Sequence, residues 1–387
     1  MKRLAYIGCL GLIGIITTEF GIIGILPQVA AHYKISIDMA GMLLSAFALV
    51  IAFTGPLLTL LASGFERRRV MALSMFLFFV SCIFSAMAPP FWVLVILRIL
   101  PAFLQPVYIS SAIAAAVKAA DKKDEHKMMA IILGGISIAT VTTVPLSTWL
   151  ASVLSWQSAF VMQATVSLLA LVSIWWLPEM PAGEKKSYGA QLGILTRADF
   201  LMTALIAFLM ISAWFSSYSY FADYLGKVKH MNEATVSKMM LLFGITGVVG
   251  NWVAGKILGR SLAVTTAIFL VGTLLIPVLL NYSGGDTILT VTVIALWGFL
   301  YAPCFLTATA TMISGAPDAL AFANSLAISF GNLGVSVGTA VSGMVIASQS
   351  VAVAPWVGML FGAAALLAIL LRSVLQARWA KAACVAQ

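Results

Sequence analysis

The strongest constraint in this sequence is a succession of long apolar runs separated by short polar segments. A helix that crosses the hydrocarbon core of a bilayer needs about 20 apolar residues. Because hydrophobic residues make up 62% of the chain and charged residues only 9%, a water-soluble fold could not cover so much apolar surface. The sequence predicts an all-α membrane protein with twelve transmembrane helices, near residues 4–30, 40–63, 70–88, 91–117, 128–153, 159–178, 200–224, 235–258, 262–281, 287–313, 319–347 and 353–376.

The predicted spans fall into two groups of six on either side of a polar stretch that contains Pro178, Gly183 and the run Glu184-Lys185-Lys186. This pattern predicts an N-terminal six-helix bundle at residues 1–178, a linker at 179–199 and a C-terminal six-helix bundle at 200–387. Glycines precede a basic residue at the end of the second and of the eighth span, so the halves are expected to be pseudo-symmetric repeats around a central cavity.

Basic residues are distributed unequally between the two alternating sets of loops. The set on the side of the termini carries 17 of them, against four in the opposite set. Basic loops stay on the cytoplasmic side, so both termini are predicted to be cytoplasmic. This distribution also explains the net charge of +9 without a nucleic-acid partner. The 17 residues are Lys2, Arg3, Arg67, Arg68, Arg69, Lys118, Lys122, Lys123, Lys127, Lys185, Lys186, Arg197, Lys256, Arg260, Arg372, Arg378 and Lys381.

The sequence offers little support for an enzyme. It contains no G-x-x-x-x-G-K-[ST] motif for ATP. Its one G-x-S-x-G string, around Ser336, lies in an apolar helix rather than at a strand-to-helix turn, and no partner base is near in the sequence. The cysteines lack metal-ligand spacing. Neither a catalytic site nor a metal or other cofactor is therefore expected.

Glu19 is the one carboxylate deep inside a predicted span. An ionised group at that depth costs several kcal/mol and usually faces the bundle interior or a water-filled path. Since an apolar surrounding favours the neutral form of a carboxyl group, Glu19 is a candidate for proton exchange. The alternative is a structural role as a permanently protonated or paired residue.

Arg98 lies inside the fourth span, at a depth similar to that of Glu19 when both are counted at about 1.5 Å per residue. If the two spans face one cavity, Arg98 can pair with Glu19 or compete with a proton for it. Capping of the Arg98 guanidinium by backbone carbonyls is the alternative. Gln105 and Tyr108 share its helical stripe and are candidate substrate contacts.

The second half offers uncharged candidates for substrate binding. Aromatic and amide side chains recur there at helical spacing, and such groups around a cavity suit a neutral or partly aromatic ligand. Packing between helices is the alternative role for each of them. The candidates are Trp214, Tyr218, Asn251, Trp297, Tyr301, Asn324 and Asn332.

The run Thr18-Glu19-Phe20, followed by Gly24 and Leu26-Pro27, resembles the first-helix signature of the drug and sugar exporters of the major facilitator superfamily. The nearest subgroup is that of arabinose-efflux and purine-efflux permeases. The resemblance covers nearly the whole chain. It also includes Val144-Pro145-Leu146, Gly244 to Asn251, Trp297-Gly298, Ala316-Pro317-Asp318 and Gly331-Asn332-Leu333-Gly334.

This resemblance implies alternating access between two bundles and export driven by the proton gradient, with no other cofactor. It implies proton-coupling roles for Glu19 and Arg98 and gating roles for Arg67, Arg68 and Pro145. It also implies a monomer in the bacterial inner membrane whose partners are protons, a small solute and the lipid bilayer. The chain departs from the family pattern at Thr143 and Ser147, which flank Pro145 where glycine is usual.

Three functions follow from these observations. The first is the export of a sugar, a nucleoside or purine, or a drug-like compound in exchange for protons. The second is a uniporter or importer in which Glu19 is structural. The third, a polytopic membrane enzyme or receptor, requires a catalytic cluster or sensory domain, and the sequence indicates neither.

Overall fold

The computed structural model of the chain describes residues 2–121, 124–180, 189–316 and 320–385. The middle of the predicted linker, residues 181–188, lies outside these ranges, as does Asp318. Within them the chain is helical, and twelve segments are long and apolar enough to cross a membrane. The prediction of an all-α protein with twelve spans is confirmed. We number these spans 1 to 12 in chain order.

The first six spans contain several broken helices. Span 1 joins Lys2–Gly21 to Leu26–Tyr33 through a 3-10 turn at Ile23–Ile25, and spans 4 and 5 each consist of two helices. The remaining bounds are Ile37–Ala62 for span 2, Arg67–Ala86 for span 3, Phe91–Ala102 and Gln105–Lys118 for span 4, Glu125–Val141 and Thr143–Val153 for span 5, and Trp156–Trp175 for span 6.

Span 7 is the one span of the second half that divides into two α-helices among the described residues, Ala198–Tyr218 and Phe221–Lys227. A 3-10 helix at Gly189–Thr196 precedes it, and the last two residues of the predicted linker, 198 and 199, already belong to span 7. The other bounds are Glu233–Leu258 for span 8, Leu262–Tyr282 for span 9, Thr287–Ser314 for span 10, Leu320–Ser348 for span 11, and Val351–Val353 with Ala354–Val385 for span 12.

Prolines account for two of the three breaks in the first half, those of spans 1 and 4. Pro27 is at the start of the short second helix of span 1, and Pro106 is at the start of the second helix of span 4. Proline lacks the amide hydrogen that a continuous helix would need at these positions. Broken helices at membrane depth are tolerated where neighbouring groups satisfy the backbone, and they often mark binding sites.

Small residues allow close packing in the second half, where span 8 packs against span 10. A side chain added at Gly250 would collide with the Phe299 carbonyl, and one added at Gly298 would collide with Thr246 and the Phe243 carbonyl. Such close approach is a common basis for helix association in membranes.

The two halves meet where span 2 packs on span 11 and span 5 packs on span 8. Several contacts lie on the side opposite the termini: Gln28 donates a hydrogen bond to Glu233, and Thr148 to the Met240 sulfur at 3.4 Å. On the same side, the Tyr220 hydroxyl fills a notch between two glycines, Gly41 of span 2 and Gly343 of span 11. The halves are thus held together at this end of the molecule.

Candidate functional site

The first helix of span 4 carries Arg98 into the interior of the first half, where only 1% of the residue is exposed. Its Nη1 donates to the Thr18 carbonyl at 2.6 Å, while Nη2 and Nε donate to the carbonyls of Glu19 and Leu43, each at 3.4 Å. The guanidinium also lies 5.2 Å from the centre of the Phe47 ring. Arg98 therefore ties span 4 to spans 1 and 2 through backbone carbonyls, the alternative weighed from sequence.

Glu19 lies beside Arg98 and is 3% exposed, but its carboxylate has a different partner. Gln105 donates from Nε2 to Glu19 Oε2 at 2.7 Å. The break in span 4 explains this contact, because Gln105 is the first residue of the second helix. Arg98 still attracts the carboxylate through space. The site thus holds a buried carboxyl group that can bind or release a proton next to a fixed positive charge.

Weaker polar contacts join spans 1, 3 and 6 beside this site without touching the Glu19 carboxylate. Thr18 Oγ1 lies 3.7 Å from Cys82 Sγ, and Cys82 lies 3.8 Å from Gln163 Oε1. The Gln163 Nε2 is buried without a hydrogen-bond partner. Neither Cys82 nor Gln163 was among the candidates predicted from the sequence. Gln163 could have been selected from the sequence, because it is a lone amide side chain inside the apolar run of span 6.

Tyr108 is placed away from the carboxylate. Its side chain is fully buried, and its hydroxyl donates to the carbonyls of Ile7 and Gly8 at 3.3 and 3.4 Å. The residue therefore shares the stripe of Arg98 and Gln105 against span 1, as expected, but it faces the helix backbone closer to the termini. In this structure its contacts are those of a packing residue rather than of a cavity wall.

Aromatic rings fill the corresponding interior of the second half. Tyr218 stacks on Phe243 with ring centres 5.1 Å apart, and Trp297 meets Phe221 edge-on at 5.2 Å. Tyr301 lies 4.6 Å from Trp214 and 5.5 Å from Phe243. We call Trp214, Tyr218, Phe221, Phe243, Trp297 and Tyr301 the aromatic cluster. Four of its members were predicted, whereas Phe221 and Phe243 were not among the candidate site residues.

The aromatic cluster borders a small cavity and carries an unpaired indole donor. Trp214, Trp297 and Tyr301 line a cavity of about 20 Å³, which is enough for one water molecule. The indole Nε1 of Trp214 is buried without a hydrogen-bond partner, and Trp214 itself is half-buried. An indole N–H in such a place usually finds a partner, so this donor is available to a ligand or a water.

The charged site and the aromatic cluster are connected across the two halves. Phe20, which follows Glu19, lies 5.5 Å from Phe215, and Phe215 stacks against Trp214 at 5.7 Å. Because Phe20 belongs to span 1 and Phe215 to span 7, a movement between the halves changes the distance between the carboxylate and the aromatic rings.

The asparagines predicted as substrate contacts differ in their hydrogen bonding. Asn332 donates from Nδ2 to the Ile328 carbonyl at 3.0 Å, and its Oδ1 is buried and unpaired. Asn251 Oδ1 is likewise buried and unpaired on span 8. Asn324 lies outside the residues whose side chains the structure describes.

The predicted gating residues lie at helix ends and breaks. Arg68 donates to the Trp175 carbonyl at 3.0 Å and lies over the indole of Trp175 at 5.8 Å, which ties span 3 to the end of span 6. Arg67 is the half-buried first residue of span 3. Pro145 is buried in the second helix of span 5, just after the break.

Similar proteins extend over most of the chain. It is 29% identical to the inner membrane transport protein YdhP of Escherichia coli K12 over 343 residues, which are 88% of this chain and 87% of that protein. It is 25% identical to a protein of Helicobacter pylori 26695 named "Probable sugar efflux transporter" over 354 residues, 91% of this chain and 90% of that one.

Solved structures share the fold. The nucleoside transporter NupG superposes with a TM-score of 0.77 at 12% identity and covers 96% of this chain and 99% of its own. A bacterial homologue of the human lysosomal transporter Spinster, in an inward-facing and occupied conformation, superposes with a TM-score of 0.70 at 16% identity, with 96% and 95% covered.

The family assignment rests on a match that spans most of the described helices. The family model of the Major Facilitator Superfamily matches residues 8–339, which run from span 1 into span 11. The curated relatives are transporters, so the expectation that the chain is not an enzyme is confirmed. The chain belongs to the Major Facilitator Superfamily and is a multi-pass membrane transporter of small solutes.

Proposed function

We propose that this transporter exports a sugar-like solute in exchange for protons, by alternating access between its two halves. The observation that carries the proposal is Glu19, a buried carboxyl group bonded to Gln105 and joined to the aromatic cluster through Phe20 and Phe215. A carboxyl group in this position can lose its proton to one side of the membrane and regain it from the other.

The substrate class is inferred from the second half. The aromatic cluster offers ring faces and an unpaired indole N–H, without a charged side chain among its members. Such surfaces suit a neutral solute with hydroxyl groups and apolar ring faces. The name of the Helicobacter pylori relative supports the same class.

Orientation and energy source complete the proposal. The excess of basic residues on the side of the termini supports cytoplasmic termini, and the E. coli relative is named an inner membrane protein. With that orientation, the contacts of Tyr220 and Gln28 close the external side. The proton gradient is the only energy source required, and a monomer suffices because both halves lie in one chain.

The test is transport in proteoliposomes with an imposed pH gradient, after a thermal-stability screen with sugars, nucleosides and drug-like compounds has identified the solute. Glu19→Gln keeps the shape of the side chain but cannot release a proton. We expect gradient-driven flux to fall at least about tenfold while solute counterflow persists. The control is Glu179→Gln, an exposed carboxylate. Unchanged gradient-driven flux in Glu19→Gln contradicts the proposal and favours a structural Glu19 in a uniporter.

A further inference from the structure

Only one end of the Gln105 amide is hydrogen-bonded. The side chain is buried, with 5% of the residue exposed, and its Nε2 donates to Glu19 Oε2. The other end of the amide, Oε1, is buried and has no hydrogen-bond partner. A buried acceptor without a partner is unfavourable, so the Gln105 amide is only partly satisfied in this arrangement.

The protonation of Glu19 changes which end of the amide it needs. An ionised carboxylate only accepts hydrogen bonds, whereas a protonated carboxyl group also donates one. The Nε2 of Gln105 can donate a hydrogen bond to the ionised form of Glu19. Rotation about the last side-chain bond of Gln105 would bring Oε1 into place to accept a hydrogen bond from the protonated form. Among the described residues, Arg98 of span 4 acts on Glu19 through its charge, and Cys82 of span 3 contacts the neighbouring Thr18. Arg98 can only donate, so it cannot accept the proton of Glu19.

The position of Gln105 connects this rotation to the interface between the halves. Gln105 begins the second helix of span 4, and the next residue, Pro106, packs on Gly55 of span 2. A methyl group added at Gly55 would lie 3.2 Å from Pro106 Cγ and 3.9 Å from the hydroxyl of Ser329 in span 11. Because span 2 packs on span 11, the break in span 4 lies between Glu19 and the interface with the second half.

We propose that Gln105 is a positioning residue that distinguishes the two protonation states of Glu19 and passes the difference to the break in span 4. This role rests on the proposed proton-coupled export. It differs from the substrate contact expected from sequence, because Gln105 acts here on the carboxyl group. Methionine at this position keeps the length of the side chain and removes both ends of the amide.

The experiment compares Gln105→Met with Gln163→Met in proteoliposomes. Gln163 is a matched control because it is fully buried in the same half and bonds Cys82 rather than Glu19. We expect Gln105→Met to lower the ratio of gradient-driven flux to counterflow about tenfold, with solute affinity unchanged. The control should stay within about twofold in both assays. A lower solute affinity with an unchanged flux ratio would assign Gln105 to the substrate and overturn the proposal.

Infrared difference spectroscopy provides a signal that would not change if Gln105 had only a packing role. The carbonyl band of protonated Glu19, identified by its loss in Glu19→Gln, should shift to higher wavenumber in Gln105→Met and stay in place in Gln163→Met. An unshifted band overturns the proposal. If Gln105→Met does not fold, Gln105→Asn serves instead, because its amide is one methylene too short to reach. Failure of the wild-type protein to respond to a pH gradient would count against the proposed function itself.

Discussion

The interiors of the two halves differ in kind although both are built from six apolar spans. The first half buries a carboxyl group, a guanidinium and two glutamine side chains, at Glu19, Arg98, Gln105 and Gln163. The second half fills its interior with aromatic rings, among them Trp297 and Tyr301. Under the proposed function, the first repeat responds to protons while the second binds a neutral solute, although both repeats share one fold.

The substitution with the largest expected effect on the contrast between the two halves is Arg98→Met. The substitution leaves the carbonyls of Thr18 and Leu43 without their donor and leaves Glu19 without its buried counter-charge. Removing one member of a buried charged group costs about 3–5 kcal/mol. We expect a large loss of folded protein and of thermal stability in detergent, whereas Arg260→Met, at an exposed site in the second half, should behave as the wild type. Equal melting temperatures would show that the first half does not depend on its buried cation.

A second substitution tests how the unlike halves are held together. Gly343→Leu places a side chain where the Tyr220 hydroxyl and Asp38 now lie. Overpacking of this kind costs about 1–3 kcal/mol, which should shift the population about tenfold towards conformations open on this side. Labelling of a cysteine introduced at Ile346 of span 11, which is 6% exposed in this structure and lines a cavity on that side, measures the shift. Gly285→Leu is the control, since no atom lies within 4 Å of that site. Unchanged labelling would show that the notch does not hold the halves together.

Trp214→Ala tests whether solute binding and proton coupling are located in different halves. The change removes the edge-on contact with Tyr301 and the unpaired indole N–H. Loss of one aromatic contact should weaken solute binding about tenfold, while the ratio of gradient-driven flux to counterflow is retained. Trp252→Ala serves as the control because Trp252 is 62% exposed on the outer surface of span 8. Loss of coupling in Trp214→Ala, with solute affinity intact, would contradict the separation.

The smallest effect is expected at the rim of the second half, where Arg372 of span 12 donates to Asp199 of span 7 at 2.9 and 3.1 Å. This pair is partly exposed, so Arg372→Gln should cost no more than about 1 kcal/mol, and the difference should shrink as salt is added. Melting curves of both proteins at low and high ionic strength provide the check. A loss as large as that of Arg98→Met would remove the contrast between buried and rim charges.

Sequence patterns were sufficient for the fold because the membrane imposes long apolar runs that are visible in one dimension. They also found Glu19, Arg98 and four rings of the aromatic cluster, since polar and aromatic groups stand out within spans. They did not find the Gln105 contact with the carboxylate. That contact lies at the break between Ala102 and Gln105, and a partner on another span cannot be read from helical spacing within one span.

The hydrogen bonds of Arg98 have a consequence for how such a sequence can diverge. The guanidinium binds carbonyl oxygens, and every amino acid supplies a carbonyl oxygen. Substitutions at Leu43 can therefore alter the side chain without removing the group that Arg98 binds there. The link between spans 1, 2 and 4 depends on a single arginine and on the course of the backbone. Related chains can therefore differ in the side chains around Arg98 while these three spans stay connected.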